Sequence, residues 1–178
     1  SVPEIKVGQI RKIQCDREGR TWFCTTGDGV FCHDGAGFHY FTHQDGLAYD
    51  LVIAVFQDRE GQFWFATWGR GLSCYDPHSI QVLDEKDGLP FNAVTTLTED
   101  HQGRIWMGFA PLLGHKTSEV VSCYDGEGLT TFGEQEGMDS CLTLYVDSRD
   151  RLWCGGLGLR QYEGERFQEI GREAGLER

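Results

Sequence analysis

The chain has 178 residues, enough for one domain to bury roughly 70% of its unfolded surface without disulfide staples. Its 24 Gly, 11 Phe, 6 Tyr and 5 Trp stand against 4 Pro and 2 Met, a turn-dense β composition. Lys+Arg 16 against Asp+Glu 28 gives a formal net charge of −12, which repels a phosphate backbone and argues against nucleic acid or an anionic membrane surface as partner.

No stretch approaches the roughly 18 consecutive apolar residues of a membrane span, and the N-terminus lacks a basic-then-apolar leader pattern. Membrane contact by this segment is therefore not expected. The start at Ser1 without Met suggests an excerpt of a longer protein.

Four tryptophans, Trp22, Trp64, Trp106 and Trp153, stand 42, 42 and 47 residues apart, each preceded by an aspartate six residues earlier: Asp16, Asp58, Asp100 and Asp147. Around them lie IRKIQCDREGRTWFCT, VIAVFQDREGQFWFAT, VTTLTEDHQGRIWMGF and CLTLYVDSRDRLWCGG. Each segment reads as an apolar strand, a DxxG turn and a Trp-centred strand. The Asp caps the turn amides and the Gly takes a positive φ, a place that Asp150 fills in the fourth copy. A third strand follows (GVFCHDG, GLSCYDP, VVSCYDG, GLRQYEG), then a fourth (GFHYF, SIQVL, GLTTF, ERFQEI). The linkers QDGLAYD, KDGLPFN and EQEGMDS join the copies. Four short strands per unit with tight turns is the pattern of a propeller blade. The chain is thus expected to be all-β, one β-propeller domain over 1–178 with four blades of four antiparallel strands, near 10–50, 51–92, 93–140 and 141–178, forming part of a larger propeller.

These residues resemble the two-component regulator propeller repeat, whose pattern runs from a Val-x-x-Ile strand through Asp-x-x-Gly-x-Leu-Trp to Gly-Leu-x-x-Tyr-Asp and Asp-Gly-Leu-Pro-x-Asn. Blade two, with DREGQFWFAT, GLSCYDP and KDGLPFN, lies nearest that pattern. The resemblance implies a bacterial sensor ectodomain for signal transduction, periplasmic, with more than four blades and a histidine kinase downstream. Kinase, nucleotide and membrane-helix signatures are not found in the chain itself.

In such a blade order the DxxG turns lie on one face, and the second-to-third strand loops and linkers on the other. The second face carries what the repeat does not demand, namely Trp68 and Arg70, the linker residues Tyr49, Asp50, Phe91, Asn92 and Asp139, and the insertion Ala110 to Glu119 with His115. Aromatic surface beside polar groups suits a small polar or carbohydrate-like ligand. The competing reading is structural: Asp50 and Asn92 cap linker turns, and Tyr49 and Phe91 fill gaps between blades. The four repeat tryptophans read as interblade core.

Cys32, Cys74 and Cys123 share one third-strand position and Cys141 matches Ile10, Val52 and Val94, so all seven cysteines are expected to be free. Free thiols favour the cytoplasm, against the periplasm implied by the resemblance. No metal or cofactor site is expected, since the six His fall at different repeat positions. The function expected is ligand binding or sensing without catalysis. The alternative is a metal-assisted propeller lyase or hydrolase at the channel mouth.

Overall fold

The computed structural model describes residues 8–76, 79–109, 121–139 and 141–171. Sixteen strands form four separate four-stranded antiparallel sheets in simple up-and-down order. Blade one contains β1 (Ile10–Cys15), β2 (Thr21–Thr25), β3 (Val30–His33) and β4 (Phe38–Phe41); blade two contains β5 (Val52–Gln57), β6 (Phe63–Thr67), β7 (Leu72–Asp76) and β8 (Ser79–Leu83). Blade three contains β9 (Val94–Glu99), β10 (Ile105–Phe109), β11 (Val121–Tyr124) and β12 (Leu129–Phe132); blade four contains β13 (Thr143–Val146), β14 (Leu152–Gly155), β15 (Leu159–Tyr162) and β16 (Phe167–Ile170). The first strands β1, β5, β9 and β13 touch in chain order, so they form the inner side of an array of propeller blades.

Strands buried on both faces need apolar residues at successive positions, and β6 and β10 are buried at every residue. The core is accordingly divided into three seams between blades. Trp22, Cys24 and Cys32 meet Val52, Val55, Phe63 and Phe65 between blades one and two. Trp64 and Leu72 meet Val94, Ile105 and Met107 in the next seam, and Trp106 and Cys123 meet Leu144, Cys154 and Phe167 in the last. Three repeat tryptophans are therefore interblade core, as their repetition implies. Trp153 is only half-buried, because it faces away from blade three. At the other end, Ile10, Ile13, Phe38 and Tyr40 of blade one are exposed. The equivalents of the first two in blade two, Val52 and Val55, are buried against blade one.

Every DxxG turn is a hub. Asp100 Oδ1 accepts from the backbone N–H of Gln102 and Arg104 at 2.9 and 3.0 Å, while Oδ2 accepts from Arg104 Nε at 2.6 Å and Trp106 Nε1 at 2.8 Å. The capping role read from the sequence is thus joined by a second one, a bond from the indole six residues on. It recurs at 2.8 Å for Trp22, 2.7 Å for Trp64 and 3.0 Å for Trp153. Gly19, Gly61 and Gly103 take φ of 80°, 90° and 81°, and Asp150 takes 62°, a left-handed conformation that costs a non-glycine residue stability. Asp150 offsets that cost across the seam, since its Oδ1 accepts from His101 N at 2.7 Å.

The turns are also tied to each other. Arg17 donates to Gln57 Oε1 and to Arg59 O of the next blade, at 3.0 and 2.9 Å. Arg59 does the same to Glu99 Oε2 and His101 O, at 3.0 and 2.8 Å.

The cysteine expectation needs correction, because Cys141 and Cys154 are disulfide-bonded, with Cα atoms 5.7 Å apart. Cys141 does occupy the place of Val52, but Cys154 occupies the place of Phe65. Those two positions lie in one core seam, on the same face of one hairpin. The pair is therefore within a blade, where distance between blades is no obstacle. The remaining five, Cys15, Cys24, Cys32, Cys74 and Cys123, are free, and burial pushes the thiols of Cys24, Cys74 and Cys123 up to about 12, which leaves them poor partners for exchange. Thiol titration in denaturant without reductant should find five groups, rising to seven after reduction; seven before reduction would contradict the bridge.

Candidate functional site

Three of the inner strands carry a bulge near their first residue. Register shifts fall between Ile10 and Lys12, between Val52 and Ala54, and opposite Gly108 and Phe109 between Val94 and Thr96. The extra residues are Arg11, Ile53 and Thr95, at one repeat position. A bulge frees a side chain from the normal alternation and re-aims it, and here all three line one groove with Leu51 and Trp68, of about 420 Å³. Trp68 directly follows β6 and makes an isolated bridge with Ala93 of the next blade, and its backbone N–H donates to Leu51 O at 3.0 Å. Anchored through its backbone in this way, it leaves its indole 39% exposed at the mouth of the groove. Thr26, its counterpart in blade one, makes the same kind of bridge to Leu51 with no aromatic surface.

The Arg70 guanidinium carbon lies 5.6 Å from the Tyr49 ring centroid, a cation–π contact with both groups at the surface. Phe91 instead packs edge-on against Phe109, with centroids 6.4 Å apart, and fills the gap between blades.

The polar trio divides. Asp50 accepts from His43 N at 2.6 Å and pairs with the His43 ring. Asn92 Oδ1 accepts from Glu85 N at 3.0 Å. Both side chains therefore hold the short 3₁₀ turns His43–Asp45 and Glu85–Asp87 of their linkers. Their carbonyls accept from the loop of the preceding blade, Asp50 O from Gly27 and Gly29 and Asn92 O from Gly69 and Gly71.

Asp139 is different because blade four is two residues shorter between Gly137 and the turn Asp147, with an inner strand of four residues in place of six. Counted from that glycine it stands where Ala48 and Pro90 stand, and its Oδ2 meets Arg160 Nη2 at 2.7 Å. The insertion Ala110 to Glu119, with His115, lies outside the described residues. The structure thus sets Trp68 on the groove, pairs Arg70 with Tyr49, and gives Asp50, Asn92 and Asp139 scaffold contacts. Arg11, Leu51, Ile53 and Thr95 are additions that the sequence reading missed. The bulges that place Arg11, Ile53 and Thr95 are set by pairing with the neighbouring strand and leave no signal in the sequence pattern.

Among the described residues no three His, Cys, Asp or Glu side chains gather as metal ligands, and no helix is long and apolar enough to cross a membrane.

Sheets stacked face to face around common inner strands, with turns on one end and linkers on the other, define a repeat-built β-propeller. Residues 46–69 and 88–110 match the family model of the two-component regulator propeller. Each match runs from a linker glycine past the Trp strand. Among solved structures the chain is similar to the extracellular domain of a hybrid two-component system of B. thetaiotaomicron, at 20% identity and a TM-score of 0.74, over 91% of this chain and 23% of that one. A one-component system of the same organism gives 22% and 0.74, over 92% and 24%. Virginiamycin B lyase from Staphylococcus aureus gives 15% and 0.69, over 94% and 57%. The chain spans about a quarter of the length of the first two. Likeness at these identities establishes the fold. No curated protein matches the chain.

Proposed function

We propose that this chain is a non-enzymatic ligand-binding section of a larger sensor propeller, on the extracytoplasmic side of a bacterial membrane and coupled to a kinase elsewhere in the parent protein. Its ligand is a small polar molecule such as a sugar, held at the linker face. The observation that carries this reading is Trp68, half-exposed over a groove built from three bulge residues, at a repeat position that elsewhere holds no aromatic side chain. An indole face stacks on a ring while Arg70 and Arg11 supply hydrogen-bond donors.

Likeness to extracellular domains of sensor systems supports the compartment, as does the Cys141–Cys154 bridge. The uncovered apolar face of blade one supports further blades or self-association. Catalysis is disfavoured because the carboxylates at the mouth are already engaged, Asp50 with a linker turn and Asp139 with Arg160.

Replacing both Trp68 and Arg70 with alanine should abolish binding in a glycan and metabolite screen, with the melting temperature shifted by about a degree or two, as is usual for exposed loop positions. Unfolding of the double variant, or unchanged binding, would sink the assignment.

A further inference from the structure

One difference among the four turn hubs bears on charge. Two residues before the tryptophan stand Arg20, Arg104 and Arg151 in blades one, three and four. Each Nε donates to its hub carboxylate, at 2.6, 2.6 and 2.7 Å. Each guanidinium also lies near the following tryptophan ring, 5.7, 5.2 and 5.0 Å from the centroid. An aromatic face beside a carboxylate holds a planar cation by cation–π attraction and charge-assisted hydrogen bonding together.

Blade two has Gln62 instead. The glutamine does not take over the role, since its Oε1 accepts from the Cys74 thiol at 3.0 Å. Asp58 Oδ2 keeps the Trp64 indole as its side-chain donor, at 2.7 Å, and has no guanidinium partner among the described residues. Asp58 is 5% exposed, so it is a buried carboxylate lacking the cation that its three counterparts possess. Uncompensated buried charge is costly.

Where the arginine would lie, a cleft of about 420 Å³ opens between blades two and three. The corresponding cleft over Trp22, which contains Arg20, measures about 210 Å³. The larger one is lined by Trp64, Tyr124, Asp58, Glu60, Glu99 and Asp125, and by no Lys or Arg among the described residues. Burial raises Glu99 above the usual carboxylate range against the opposing pull of Arg59. The carboxylates are too dispersed to ligate a metal ion, which leaves a delocalised organic cation as the occupant that matches both ring and acid.

We infer that the cleft over Trp64 binds a guanidinium group supplied from outside the chain, in the place that an arginine side chain fills in the sister blades. This site lies among the DxxG turns, on the opposite face from the Trp68 groove. A free guanidino compound and an arginine on a partner protein share the head group.

Calorimetric titration of the whole chain with agmatine and with a capped Gly-Arg-Gly peptide separates the two sources by which binds more tightly. Saturable one-to-one binding is expected, with tetramethylammonium, which has no donors, weaker by about tenfold, the factor that corresponds to one modest charged hydrogen bond. Gln62→Arg should fill the cleft internally, abolish binding and raise the melting temperature. Glu99→Gln should weaken binding with the fold intact, and Trp68→Ala should leave it unchanged. Agmatine affinity unaltered in both Gln62→Arg and Glu99→Gln, or no saturation at millimolar agmatine, would overturn the inference.

Discussion

Asp100→Ala is expected to lower stability by about 3 kcal/mol, because it removes at one stroke the turn cap and the acceptor for a buried indole and a guanidinium. Asp100 is 3% exposed and Trp106 fully buried, so water cannot replace the lost acceptor. Denaturant unfolding at neutral pH measures the loss, and a decrease below about 1 kcal/mol would show that the turn alone matters. The same carboxylate sets a pH signature. Burial works against ionisation of Asp100, yet bonds from the Trp106 indole and from the backbone and side chain of Arg104 outweigh it and hold the carboxyl below its usual range. A carboxyl depressed in the folded state stabilises the fold above its unfolded value of about 3.9, and that contribution is lost as pH falls through the folded value. The wild-type protein should therefore weaken below about pH 4, and the alanine variant should weaken less over that window.

Asp139→Ala should cost about 2 to 3 kcal/mol, less than for a fully buried pair because the aspartate side is half-exposed. The arginine side is not: the Arg160 side chain is 5% exposed, and its Nη1 has no hydrogen-bond partner among the described residues. In blade two the equivalent third-strand residue, Ser73, accepts from Ala48 N at 2.8 Å. Blade four makes the same linker-to-strand contact with two charges. Arg160→Met should then be close to neutral, and adding it to Asp139→Ala should restore most of the loss. Additive costs in that double-mutant cycle would mean the two residues do not act as a pair.

The strands and turns were legible because each is a local matter. The six-residue step from Asp to Trp spans one hairpin, and the Gly of each turn marks its own φ. What the repeat alignment hid were features that depend on count or on neighbouring strands. Counting eight residues back from the turn Asp groups Asp139 with Asp50 and Asn92, which conceals the two residues that blade four lacks between Gly137 and Asp147. Alignment to the linker glycine reveals the proximity of Asp139 to Arg160. The repeat places Cys141 with Val52, but the bridge becomes legible only when Cys154 is also set against Phe65, across the same hairpin. The bulges at Arg11, Ile53 and Thr95 leave no trace in apolar alternation, because an inserted residue merely looks like an interruption. Trp68 and Arg70 stood out for the opposite reason, being residues the repeat does not require.

The ties from Arg17 to Arg59 and from Arg59 to His101 reach across 42 residues and no further. Fastenings of that span make the array a linear series of couplings, in which each blade senses only its immediate neighbours. Within the four blades described, blades two and three have such neighbours on both sides and blades one and four on one. In these four blades taken alone, local opening should therefore spread inward from blades one and four, with amides of β6 and β10 exchanging last. A blade altered in the middle divides the series into two weaker halves, whereas one altered at an end shortens it by a single unit.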